Sequence, residues 1–117
     1  MGKAVVVVGT GFNNADGRSR ADLIRKYCKP GTLLQLVREP DNPHDANAVA
    51  VVVEIPKILG LFGGGRVQIG YLREGTARSV AKRLDAGKIV TGRITSMYAP
   101  EGREHPRVSA ELTNDDA

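Results

Sequence analysis

A chain of 117 residues fits one domain and can bury a core large enough to fold without covalent or metal staples. Its single cysteine, Cys28, excludes an intrachain disulfide, and one thiol with two histidines, His44 and His105, excludes a structural zinc site of the Cys/His type. Net charge is +4 with a pI near 9.5, and with 41% apolar but only 4% aromatic residues the core must be built from Val, Leu, Ile and Ala.

Ala4 to Val8 is a short β-branched run ended by Gly9-Thr10-Gly11, which predicts a buried strand leading into a loop. Asp16 to Ser19 reads as a helix entrance, with Ser19 and Asp22 spaced as a capping box and Leu23, Ile24, Tyr27 and Cys28 at helical spacing. Pro30-Gly31 stops that helix. Strands follow at Thr32 to Arg38 and Val49 to Ile55, joined by a segment too proline-rich at its start to be either element. Pro56 to Gly65 reads as a loop or extended hairpin tip, and Arg66 to Leu72 as a strand in which Val67, Ile69 and Tyr71 alternate. Ala77, Val80, Ala81 and Leu84 fall at i, i+3, i+4 and i+7 of a second helix stopped by Gly87. Ile89 to Met97 and Val108 to Leu112 complete the strands around a turn at Pro100 to Pro106.

Such strands and helices do not alternate as βαβ units, so a mainly β (α+β) domain is expected, a small barrel or curled antiparallel sheet of five to six strands with two helices. It is one domain over residues 1–117, with a core at about 4–113 and a frayed acidic end at Asn114 to Ala117. Ala4 to Val8 is too brief for a signal-peptide core and no run reaches the length of a membrane span. The chain therefore reads as soluble and mature as written, in a reducing, intracellular (cytoplasmic) setting with no membrane partner.

Charge is clustered. Arg18, Arg20, Arg25, Lys26 and Lys29 face only Asp22 in the first basic segment, and a second runs from Arg66 to Lys88. Between them, Glu39, Asp41, Asp45 and Glu54 outnumber Arg38. Two basic segments flanking an acidic turn read either as a polyanion-binding surface with a local negative spot or as ordinary solvated helix faces.

Little points to catalysis or to a cofactor. Gly9-Thr10-Gly11 resembles a dinucleotide-binding turn, but Asn14 stands where the third glycine belongs. Asp41, His44 and Asp45 have the chemistry for a divalent metal or an acid/base pair, yet no second ligand cluster stands at matching spacing, and no Ser or Cys is paired with a base. A non-enzymatic protein without cofactor or metal is expected.

The segment Glu39-Pro40-Asp41-Asn42-Pro43-His44-Asp45-Ala46-Asn47-Ala48-Val49 separates into two roles. Pro40 and Pro43 stiffen the turn, and Asn42 and Asn47 have short amides suited to loop backbone groups. Asp45 either caps the turn or accepts a hydrogen bond from a ligand hydroxyl.

With Val8-Gly9, Pro30-Gly31, Leu34, Leu36, Ile69-Gly70-Tyr71-Leu72 and Ala77 to Leu84 in the same order, this segment resembles the HIRAN domain family, over about Val5 to Lys88. These domains occur fused to Snf-type ATPases and as small free-standing proteins, and the latter kind fits this length. The resemblance implies a modified OB-like β-barrel that grips the 3′ end of single-stranded DNA, in DNA repair or replication-fork processing. Within it, Asp45 matches the aspartate that accepts from the terminal 3′-hydroxyl, Asn42 stands in the same turn, and His44 replaces a usual tyrosine. Tyr71 stands where an aromatic ring or histidine approaches the DNA, or else packs on its strand with an exposed hydroxyl. Arg73 and Arg78 would neutralise phosphate, and Phe12, Arg18 and Arg20 are the first-loop candidates. Glu74 departs from the family's phosphate-binding lysine. A DNA-processing ATPase or nuclease is an implied partner, and the oligomeric state stays open. Two other readings stand: a protein-interaction domain, through Glu74, His44 and the apolar group Ile58, Leu59, Leu61 and Phe62, and a metal-dependent nuclease using Asp41 and Asp45.

Overall fold

Short β-branched runs separated by glycine and proline turns cannot bury both faces alone, and here they close on one another. The computed structural model describes residues 2–58 and 62–115. Along the chain lie β1 (Gly2–Val8), α1 (Arg20–Tyr27), β2 (Leu33–Arg38), β3 (Val49–Glu54), β4 (Lys57–Ile58), β5 (Phe62–Gly63), β6 (Arg66–Leu72), α2 (Glu74–Asp85), β7 (Ile89–Tyr98) and β8 (Arg107–Asp115). Six of these strands form a closed barrel in the order β1-β6-β3-β2-β7-β8, with every neighbouring pair antiparallel. Closure leaves no long sheet edge to template aggregation.

Period-2 patterning fills the interior. Val90, Gly92 and Ile94 of β7 and Val108, Ala110 and Leu112 of β8 turn inward between exposed or half-buried neighbours. They meet Val49, Val51 and Val53 of β3 in an aliphatic core. Ser19 caps α1, its Oγ accepting from the Asp22 N–H at 3.2 Å, and Leu23 and Ile24 are buried where the helix lies against β6. Helix α2 starts without a side-chain cap and sets Ala77, Val80 and Ala81 into the core against β7 and β3. Gly87, at φ +80°, turns the chain out of it.

Two stretches depart from the sequence expectation. The last ladder continues through Asn114, opposite Val90, and Asp115, opposite Ile89, beyond the point where fraying is expected, because β7 offers partners that far; residues 116–117 lie outside the described residues. Pro56 to Gly65 contains the small hairpin β4–β5. Of the apolar group Ile58, Leu59, Leu61 and Phe62, Ile58 pairs with Phe62 across it, and residues 59–61 lie outside the described residues.

A third departure shapes the site. Simple alternation places Val67, Ile69 and Tyr71 on one face. In the barrel, Val51 pairs with Gly70 but Val52 pairs with Gln68, so β6 carries one extra residue at this step. The bulge inverts the pattern beyond it. Leu72 turns inward beside Val7, and Tyr71 turns outward between Val8 and Ala50. Gly70 allows the crossing with β1, since a Cβ there would lie 2.4 Å from the Val8 carbonyl oxygen and 2.7 Å from Val7 Cγ1. Gly70→Ala is therefore expected to cost about 1–3 kcal/mol in urea unfolding, the usual range for forced overpacking. An unchanged midpoint would show that β1 and β6 are not held this close.

Candidate functional site

The loop between β2 and β3 is closed by its own backbone. The Glu39 N–H donates to the Ala48 carbonyl at 3.0 Å, and the Ala48 N–H donates to the Asp45 carbonyl at 3.0 Å. Inside it, Asn42 Oδ1 accepts from the N–H groups of His44 (2.9 Å) and Asp45 (3.2 Å), an Asx turn that the stiffening prolines favour. Asp45 Oδ1 accepts from the Asn47 N–H at 2.8 Å. Asn47 thus contributes its main chain, and its side-chain amide has no hydrogen-bond partner among the described residues. The second oxygen of Asp45 likewise has none.

Glu39, the first acid of the segment, ties this loop to the barrel. Its Oε1 accepts from the Tyr71 hydroxyl at 2.8 Å and from Asn42 Nδ2 at 3.1 Å. The Tyr71 ring is also held by Arg20, whose guanidinium carbon lies 5.4 Å from the ring centroid. Arg20 is 8% exposed; its Nε donates to Asn14 Oδ1 at 2.8 Å and its Nη1 to the Gly9 carbonyl at 3.0 Å. Asn14 Nδ2 in turn donates to the Gln68 carbonyl at the bulge, at 2.9 Å. Arg20 therefore forms the wall behind Tyr71, with two of its nitrogens turned inward.

Asn42, His44, Asp45, Ala48, Tyr71, Leu72 and Glu74 line a pocket of about 300 Å³. Four sequence candidates, Asn42, His44, Asp45 and Tyr71, thus meet in one place. Phe12 is close by: a Cβ on Gly9 would lie 3.8 Å from its ring and 3.9 Å from that of Tyr71, and Phe12 is 66% exposed. The cations stand further out. Arg18 pairs with Asp16 (2.8 Å) and lines a different groove with Lys26 and Tyr27. Arg73 is exposed at the start of α2, beside Ala4, Val5 and Val6. Arg78 is exposed, 3.9 Å from Glu74.

Arg38 is a further structural part of the site. Its Nη1 donates to the carbonyls of Ala46 (3.0 Å) and Ala48 (3.2 Å), while Nε and Nη2 donate to the two oxygens of Asp85 at 3.0 and 3.2 Å. The exit of the acidic loop is thereby bolted to the end of α2. The bonded Arg38 guanidinium holds the Asp85 carboxyl below its usual range, and Asp85 raises Arg38. Outside the site, burial pushes the Cys28 thiol up to about 11, leaving it protonated and poorly nucleophilic at neutral pH. The described residues contain no group of three or more His, Cys, Asp or Glu placed to hold a metal ion. None of their helices is long and apolar enough to cross a membrane.

A closed six-stranded antiparallel barrel with two helices, carrying a pocket on an inter-strand loop, defines a small OB-like binding domain. The sequence model of the HIRAN domain matches residues 5–113, and the chain belongs to the HIRAN domain family, whose general role is DNA binding. The crystal structure of the HIRAN domain of human HLTF is similar at a TM-score of 0.59 and 17% identity, covering 98% of this chain and 77% of that one. A protein from Lactobacillus plantarum of known crystal structure is similar at a TM-score of 0.63 and 20% identity, covering 96% of this chain and 98% of that one. At these identities the likeness is one of fold. No curated protein matches the chain.

Two outcomes test the scaffold of the pocket. Glu39→Ala leaves the Tyr71 hydroxyl and the Asn42 amide without their acceptor, and urea unfolding should show a loss of about 1–3 kcal/mol. No loss would place Tyr71 and Asn42 outside any shared network. Because Asp85 titrates lower when folded, its contribution is complete above the ordinary value of 3.8 and is lost as pH falls below it through the depressed value. Melting temperature should therefore drop less steeply with acid in Asp85→Asn than in the parent chain; parallel acid profiles would contradict the bolt.

Proposed function

We propose that this chain is a non-catalytic module that binds single-stranded DNA at a free 3′-hydroxyl end, inside the cell, in DNA repair or replication-fork processing. The observation that carries this reading is Asp45: one carboxylate oxygen is anchored by the Asn47 N–H, and the other has no hydrogen-bond partner among the described residues, at the wall of a pocket sized for a terminal nucleotide. A fixed carboxylate rewards a hydroxyl donor and repels a terminal phosphate. Tyr71 and His44 offer rings to the last bases, and Phe12 extends that surface from the first loop. Arg73 and Arg78, with Arg18 on a separate groove, draw the phosphate backbone toward an otherwise acidic cavity. Arg20 contributes by fixing Tyr71. A DNA-processing ATPase or nuclease is the kind of protein that would use such an end-reader.

Fluorescence anisotropy with matched oligonucleotides ending in 3′-hydroxyl or 3′-phosphate tests this directly. The hydroxyl end should bind at least about ten-fold more tightly, the scale of a hydrogen bond to a charged group. In Asp45→Asn that ratio should collapse while a cooperative thermal transition persists. Equal affinity of the parent chain for both ends would defeat the end-reading mechanism.

A further inference from the structure

We infer that the same pocket reads the last base, favouring one with N–H donors on its Watson–Crick edge, guanine first and thymine last, with Glu74 as the residue that sets the preference. This rests on the reading of the pocket as a 3′-end site. The preference follows from which hydrogen-bonding groups of the wall remain for a ligand. The Tyr71 hydroxyl and the Asn42 amide both donate to Glu39. The main-chain N–H groups of His44, Asp45 and Asn47 are held by side-chain oxygens within the loop. Ala48 and Leu72 bring only apolar side-chain surface.

What remains on the wall is acceptor-rich: the second oxygen of Asp45 and the carboxylate of Glu74, with the imidazole of exposed His44 between donor and acceptor roles. Glu74 is the first residue of α2, and its side chain is 78% exposed. Its ion pair with Arg78, at 3.9 Å, joins two exposed groups, a weak contact that a ligand can replace. A nucleotide entering here must supply the donors. Its 3′-hydroxyl serves Asp45, and its base then faces Glu74.

Guanine presents an imino N–H and an amino group side by side, matching the two oxygens of one carboxylate. Cytosine and adenine each offer one amino group beside a ring acceptor. Thymine offers a single N–H between two carbonyls, which would face the carboxylate oxygens unfavourably. A lysine in place of Glu74 would prefer the opposite pattern and the phosphate as well.

The test is an anisotropy series with eight oligonucleotides that differ only in the terminal base and in a 3′-hydroxyl or 3′-phosphate end. Terminal dG should bind roughly ten-fold more tightly than terminal dT, the scale of a good bidentate contact. Glu74→Gln should bring that ratio close to one, with a thermal melt showing that the barrel is retained. Equal binding of all four bases, or dT bound best, with the hydroxyl preference intact would overturn base reading and leave end reading standing. Loss of the hydroxyl preference, or no DNA binding at all, would overturn both.

Discussion

One extra residue in β6 governs the site. Without the bulge opposite Val51 and Val52, strict alternation would keep Tyr71 on the face of Val67 and Ile69, inside the barrel, and turn Leu72 outward. With it, an aliphatic side chain closes the core and a phenol stands at the mouth of a pocket. Gly70 adjoins the bulge, and there the backbone of β1 passes where any side chain would project. Core packing and ligand chemistry thus share one backbone event.

From there the order of the site follows a continuous path. Arg20 and Asn14 hold the first loop to the bulged strand, the Tyr71 ring lies against Arg20, and its hydroxyl meets Glu39. Glu39 receives the Asn42 amide, and the carbonyl end of the same amide fixes the backbone that carries His44 and Asp45. These hydrogen bonds link one side chain to the next, so the side chains reach the pocket already oriented. The local acidity in a basic chain then has two separate uses. Glu39 organises the interior of the loop, whereas Asp45 keeps one oxygen without a hydrogen-bond partner among the described residues.

Much of this was legible in the sequence because it was local. Apolar spacing from Ala77 to Leu84 marked α2, Ser19 and Asp22 marked the start of α1, and alternation marked β7. The acidic segment carried the family resemblance, and Asn42, His44, Asp45 and Tyr71 do share a pocket. The rest depended on contacts across the chain. Glu39 and Tyr71 are 32 residues apart, Arg38 and Asp85 are 47 apart, and neither partner signals the other. Arg20 resembled its basic neighbours, and only packing revealed it as a buried strut, a rare state for arginine. The bulge was hidden by the sequence itself, since Val67, Ile69 and Tyr71 fit an unbroken strand.

In the proposed end-reading, Asp45 receives a hydroxyl hydrogen. Terminal phosphate tests this together with charge repulsion, so the most direct measurement removes the hydroxyl and adds nothing. Equilibrium binding should be compared for oligonucleotides ending in an ordinary nucleotide and in its 3′-deoxy (dideoxy) counterpart, at one salt concentration. The deoxy end should bind about ten-fold more weakly, and the difference should vanish in Asp45→Asn. Equal affinity of the parent chain for the two ends would contradict the account.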